Sequence, residues 1–269
     1  VAITTQDGLV AALGGAQRLI QVKANVTAVS GRMCALWSGA GQPGAGSTTL
    51  GQAAAGVVPV DSDTGFHTFT NPVSGNTYLA GVSGISAVSG MLVIWDNVWR
   101  WGSGGSGWAV TTTTAQNTTS PAALTRPDST GVGTEAWFLT LATLGAGAAT
   151  PVLSYTNEAG TAGRTTGTLG YAAASIIGSM YQFPLQAGDL GVRSVQSLTL
   201  SVSMTSGTAA ICIMRRIASI PVVANVGFKY DAFDLGMPII SNDAALMIGS
   251  QAASTSSGPV QLEMILAQG

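Results

Sequence analysis

Charge is what this chain lacks most. Of its 269 residues ten are Lys or Arg and twelve are Asp or Glu, 8% in all, where an average soluble domain carries about 25%. Surface scaling gives a folded monomer of this mass about 10,000 Å² of accessible surface, or about 500 Å² for each charge. A free monomer so poor in charge tends to associate, so much of its surface is expected to be covered by its own copies or by another protein. With a net charge of −2 and Arg215-Arg216 the only adjacent basic pair, there is no electrostatic footprint for nucleic acid. That pair is read as the surface end of a strand.

Chemistry-bearing residues are equally scarce. His67 is the only histidine, so a serine or cysteine hydrolase would need it as base, and no GxSxG elbow accompanies it. The two cysteines, Cys34 and Cys212, sit in apolar settings, RMCALW and AICIM. They read as buried thiols, with a disulfide as the alternative. No clustered Cys or His forms a metal site, and no cofactor is expected. Long apolar runs are missing too, although hydrophobic residues reach 46% and mean hydropathy is +0.38. The longest uncharged stretch near mid-chain, Thr165 to Gly188, is broken by Gly167, Gly170, Gly178 and Pro184. Such a stretch is a poor membrane helix, and the first residues do not read as a signal peptide. The chain is therefore expected to be soluble.

What is present is alternation. Trp137, Leu139 and Leu141 recur at every second residue, then a small-residue loop leads through Pro151 into Val152–Tyr155. A loop this short joins antiparallel strands, because a parallel pair needs a crossover of a dozen residues or more. Leu198, Leu200, Val202 and Met204 alternate with polar residues, as do Val260, Leu262, Met264 and Leu266. Ala209–Met214 is continuously apolar and reads as a strand buried on both faces. Met91–Trp101 and Trp108–Thr114 flank a GSGGSG loop, and Trp95, Trp99 and Trp101 share one face in regular strand geometry. Eight or more strands from about residue 91 predict a two-sheet antiparallel β-sandwich or jelly roll.

Residues 1–88 read as a smaller, loop-rich N-terminal β region, and 89–269 as the jelly-roll-like domain. In the first, Asp7 is expected to cap a helix over Gly8–Leu13. Ile20, Val22, Ala24 and Val26 alternate with Leu19, Gln21, Lys23 and Asn25 as a half-buried strand. Val57–Val60, Phe66–Thr70 and Thr77–Val82 are further short strand candidates. Residues 39–56, dominated by Gly, Ala, Ser and Thr, are expected to form an irregular loop or extended arm that orders on assembly.

Several motifs fail their context. Gly39-Ala40-Gly41-Gln42-Pro43-Gly44 spells GxGxxG with Asp61 beyond it, but Pro43 and further glycines follow where an amphipathic helix should receive the phosphate. The same stretch lacks the lysine of a phosphate loop. Asp63-Thr64-Gly65 resembles half of an aspartic protease site without the second half that the chemistry needs, and is read as a turn. Asp61 and Asp63 alone do not make a calcium loop. The sequons at Asn25 and Asn117 carry little weight without a secretory signal. Trp95, Trp99, Trp101 and Trp108 remain as candidate interaction residues: stacking platforms for a sugar, or core and subunit-contact residues.

SYTNEAGTAGRT (154–165) and FPLQAGDLGVRSVQSL (183–198) resemble structural proteins of tailed bacteriophages and prophages, as do QDGLVAALGG (6–15) and ILAQG (265–269). The resemblance runs end to end on glycine, turn and strand positions that hold no reacting group. It implies a virion component, assembled in the host cytoplasm, that cements or decorates the capsid. Its partners would be the major capsid protein or other virion proteins and its own copies, a trimer among the options. No catalytic residue carries over. The alternative is a tail or fibre protein binding a host glycan through the tryptophans.

Overall fold

The structure is a computed structural model that describes residues 3–269. It is an antiparallel all-β protein, as the alternation predicts, and among the described residues it has two short α-helices, α1 (Gln6–Gly14) and α2 (Ala232–Leu235). In chain order the first strands are β1 (Gln17–Lys23), β2 (Met33–Ala35), β3 (Gly41–Gln42), β4 (Thr77–Ser86) and β5 (Gly90–Gly102). Next come β6 (Gln116–Asn117), β7 (Thr134–Ala142), β8 (Pro151–Asn157), β9 (Arg164–Thr165) and β10 (Met180–Gln182). The last are β11 (Val192–Leu200), β12 (Thr208–Val222), β13 (Gly227–Asp231), β14 (Ile239–Ile240), β15 (Leu246–Ala252) and β16 (Val260–Gln268). Among the described residues no helix is long and apolar enough to cross a membrane.

The sandwich is built from three sheets. The central one has the order β10-β7-β12-β5-β15-β2, and its edges meet: Cys34 bridges Ser179, and the Ala35 amide donates to the Gly178 carbonyl at 2.8 Å. Six strands thereby close into a small barrel, too narrow to hold anything but side chains. Val93, Trp95, Trp137, Leu139, Cys212 and Met247 fill it together with Trp37 and Phe66 from the N-terminal region. Gly249 faces Trp95, where a Cβ would lie 2.7 Å from the indole ring.

The outside of the barrel is covered in two parts. The sheet β6-β11-β8-β9 packs Leu153, Tyr155, Val195 and Leu198 on Trp99, Phe138 and Ile211. The sheet β13-β4-β16-β1-β3, with β14 also on β4, packs Leu79, Val82, Leu262 and Met264 on Leu92, Ile94 and Ile220. Ala209–Met214 is buried on both faces as expected: Ala209, Ile211 and Ile213 point outward to the first layer, and Ala210, Cys212 and Met214 into the barrel.

Pairing revises several expectations. The boundary placed near residue 88 separates no sheet, because β1 and β4 flank β16 in one ladder. Residues 3–88 therefore share a core with the C-terminal strand. Residues 39–56 are not a projecting arm. They close one end of the barrel, and Gly46 lies so near Trp37 that a Cβ would stand 1.8 Å from its ring. Trp108–Thr114 is an irregular loop, as are Val57–Val60 and Phe66–Thr70. Arg215 and Arg216 do not end a strand, since β12 runs on to Val222 against β5. Thr5, not Asp7, caps α1, its side chain accepting from the Gly8 amide.

Candidate functional site

Trp95, Trp99, Trp101 and Trp108 are all buried, none more than 2% exposed. Burial overturns them as interaction residues, because no ring face is open for a sugar to stack on. Nor do the first three share a face. Val98 is an extra residue of β5 at a bulge, since Trp99 pairs with Ile213 and Asn97 with Met214. Trp95 therefore points into the barrel, whereas Trp99 and Trp101 point out of it.

The open mouth of the barrel is the most chemically diverse concavity. It is a groove of about 530 Å³ whose lining includes Arg32, Met33, Trp137, Tyr181, Arg216 and Gln251. Bonded to its lining residues Trp137 and Arg216 is Glu135, whose Oε2 accepts from Trp95 Nε1 at 3.1 Å and Trp137 Nε1 at 2.8 Å and whose Oε1 accepts from Arg216 Nε at 2.9 Å. Arg32 donates to the Tyr181 hydroxyl at 2.8 Å and stacks over that ring. Both oxygens of the carboxylate are thus engaged by donors of the fold. Sequence alternation does put Glu135 and Trp137 on one face; nothing in it links them to Trp95, Arg216 or Arg32, which arrive from other strands and a loop.

The expected motifs serve the fold. Lys23 Nζ donates to the carbonyls of Gly39, Pro43 and Gly44 at 3.1, 2.6 and 3.2 Å. The GxGxxG stretch therefore presents oxygens to a cation, the reverse of a phosphate cradle, which needs amides. Burial pushes the Lys23 ammonium down to about 8. His67 is buried too, its Nε2 3.4 Å from Gln21 Oε1. Burial, aided by the charge of Lys23, lowers it to about 4, so it is neutral at pH 7. Asp61 Oδ2 accepts from the Phe69 amide and Asp63 Oδ2 from the Val60 amide, which makes both turn residues. Cys34 and Cys212 are free, buried thiols. Among the described residues no three His, Cys, Asp or Glu side chains gather as a metal site.

Residues 154–165 and 183–198 lie side by side. Asp189 accepts from the Tyr155 hydroxyl at 2.5 Å, from Asn157 at 2.8 Å and from Arg164 twice, at 2.8 and 3.0 Å. The bidentate Arg164 holds the Asp189 carboxyl well below the usual carboxylate range, and the phenol, buried beside that carboxylate, is pushed up to about 12. These residues staple the turn after β8 to the loop before β11.

The outer face of the sheet formed by β4, β16 and β1 contradicts the simplest reading of β1. Leu19, Gln21 and Lys23 face inward, while Ile20 is 53% and Val22 40% exposed. Ile85 is also exposed, and Arg18 pairs with Glu263 at 2.9 Å beside them. Meanwhile Lys23, Asp61, Asp96, Arg100 and Arg126 are buried, so the surface of 10398 Å² carries fewer charges than composition implies. Compared with protein-family models, curated proteins and solved structures, the chain matches none.

Proposed function

We propose that this chain is a structural subunit of a tailed-phage particle, cementing or decorating the capsid by binding capsid subunits and its own copies. No chemical step is assigned to it. The observation that carries this reading is the outward turn of Ile20 and Val22 while Gln21 and Lys23 are spent inside. A solvated antiparallel sheet normally shows its polar positions to water. Here Ile20 and Val22 of β1 and Ile85 of β4 face out on a surface already short of charge, beside one ion pair, which is the mixture found at protein interfaces. Low charge also lowers the cost of drying a large contact. The resemblance of residues 154–165 and 183–198 to phage structural proteins supports the virion setting. The glycan reading loses its stacking residues, as all four tryptophans are interior.

The test is assembly state. Native mass spectrometry and mass photometry of the chain are expected to show oligomers. Ile20→Asp with Val22→Asp is expected to yield monomers of nearly unchanged stability, because surface substitutions usually stay within about 0.5 kcal/mol. A monomer at high concentration that does not bind capsids overturns the proposal. So do particles lacking the chain that survive heat and osmotic shock as well as wild type.

A further inference from the structure

Phe233 is 77% exposed, while the other aromatic side chains are buried or half-buried. A lone exposed apolar residue needs no explanation by itself, but the setting of this one does. Phe233 sits in α2, a tip held in one shape by a capping box. Asp231 Oδ1 accepts from the Phe233 and Asp234 amides, and Asp234 Oδ2 accepts from the Asp231 amide. Gly236, in the left-handed region, ends the turn. Two exposed carboxylates therefore flank the ring, and among the described residues neither Asp231 nor Asp234 forms an ion pair. Lys229 is the one cation close by in sequence, so the tip is net negative.

The groove at the barrel mouth has the opposite character. Among the described residues no Asp or Glu lines it, whereas Arg32 and Arg216 do. Arg216 is compensated by Glu135 at 2.9 Å, but Arg32 pairs with no carboxylate among the described residues. Its guanidinium is nevertheless fixed. It stacks 4.8 Å from the centre of the Tyr181 ring and donates to the Tyr181 hydroxyl, which bonds the buried Ser175 hydroxyl at 2.7 Å. An arginine held this way can meet a carboxylate at little ordering cost. The floor is apolar, with Met33, Met91, Met180 and Trp137 in the lining. Thioethers and an indole are favourable neighbours for a phenyl ring, and about 530 Å³ is ample for one. None of the described residues from 223 to 250 lines the groove, so α2 and the mouth of its own barrel are separate surfaces.

We infer that the α2 tip of one copy docks in the barrel mouth of the next, with Phe233 on the methionine floor and Asp234, which caps through Oδ2 alone, on Arg32. This rests on the self-association proposed above and adds a head-to-tail contact to the one made by the outer face of β1. Such a contact passes from copy to copy into a ring or a chain. A single tip buries far less than a standard interface. Alone it is expected to dissociate near about 100 μM, so it is open at the dilution of mass photometry and acts within assemblies through avidity.

The test uses the full chain carrying Ile20→Asp and Val22→Asp, which removes the β1 contact. At about 500 μM, above that dissociation constant, sedimentation velocity is expected to show association of this parent. Adding Phe233→Ser is expected to abolish it, and so is adding Arg32→Glu. The first variant keeps only a groove and the second only a tip, so mixing them is expected to restore a 1:1 pair that grows no further. A monomeric parent, association that survives Phe233→Ser, or a mixture that stays monomeric overturns the docking. Each of these outcomes leaves the β1 contact to its own test in the chain with Ile20 and Val22 intact. Where Arg32→Glu fails to fold, Phe233→Ser against its parent decides alone.

Discussion

Trp95 and Trp137 meet edge to face inside the barrel, ring centroids 5.4 Å apart, and both indole N–H groups donate to the same oxygen of Glu135. The two rings come from β5 and β7, which are not neighbours; β12 runs between them. One carboxylate therefore ties two strands across a third, and Arg216 of that third strand closes the cluster on the other oxygen.

Removing the acceptor should be costly. Glu135→Leu leaves two largely buried indole N–H groups without a partner and removes the acceptor of Arg216 Nε, and is expected to destabilise the fold by about 2–4 kcal/mol. Glu135→Gln keeps an acceptor oxygen and should lose about half as much. Urea unfolding with an unchanged slope and a lowered midpoint checks both.

His67 makes stability fall on the acid side. Its folded value of about 4 lies below the ordinary 6.5, so between these values the unfolded chain binds more protons than the folded one. Stability is full above about pH 6.5 and declines as pH falls toward 4, by at most about 3 kcal/mol from this group. His67→Gln should flatten the profile in that window relative to wild type. Lys23 acts with the same sign at higher pH: its value of about 8, against 10.5, predicts stability rising between them. Melts from pH 4 to 10 check both arms.

Two glycine substitutions should have opposite signs. Gly249→Ala puts a methyl group 2.7 Å from the Trp95 ring and is expected to destabilise by about 1–3 kcal/mol through overpacking. Gly14→Ala meets nothing within 4 Å at the end of α1 and should stabilise by about 0.5–1 kcal/mol. Paired thermal melts decide.

The Asp189 staple should control a local opening. Asp189→Asn weakens the grip on Arg164 and the Tyr155 hydroxyl and should speed amide exchange in residues 157–163 and 186–191, with the barrel strands unchanged. Exchange mass spectrometry reads this directly. Uniform loss of protection across the chain would show instead that the staple supports the whole fold.

Strand identity was legible in the sequence wherever burial was symmetric or alternation regular. Ala209–Met214 had to be buried on both faces, and Val260–Leu266 had to place its even positions inward. The glycine-rich run at 39–56 was legible as irregular chain, because no side-chain pattern there favours a helix or a strand. The all-β, antiparallel class follows from these local patterns.

Which face of a strand ends inside was a tertiary decision. Val98, inserted as an extra residue, sends Trp95 and Trp99 to opposite sides, and nothing local announces a bulge. β1 turns Gln21 and Lys23 inward because the carbonyls of residues 39–44 and the ring of His67 await them there. The barrel mouth exists because β2 meets β10 and closes the sheet, and the Glu135 cluster because β12 pairs with both β5 and β7. Alternation tells a strand that it has two faces, but only the neighbours it packs against set which one is dry.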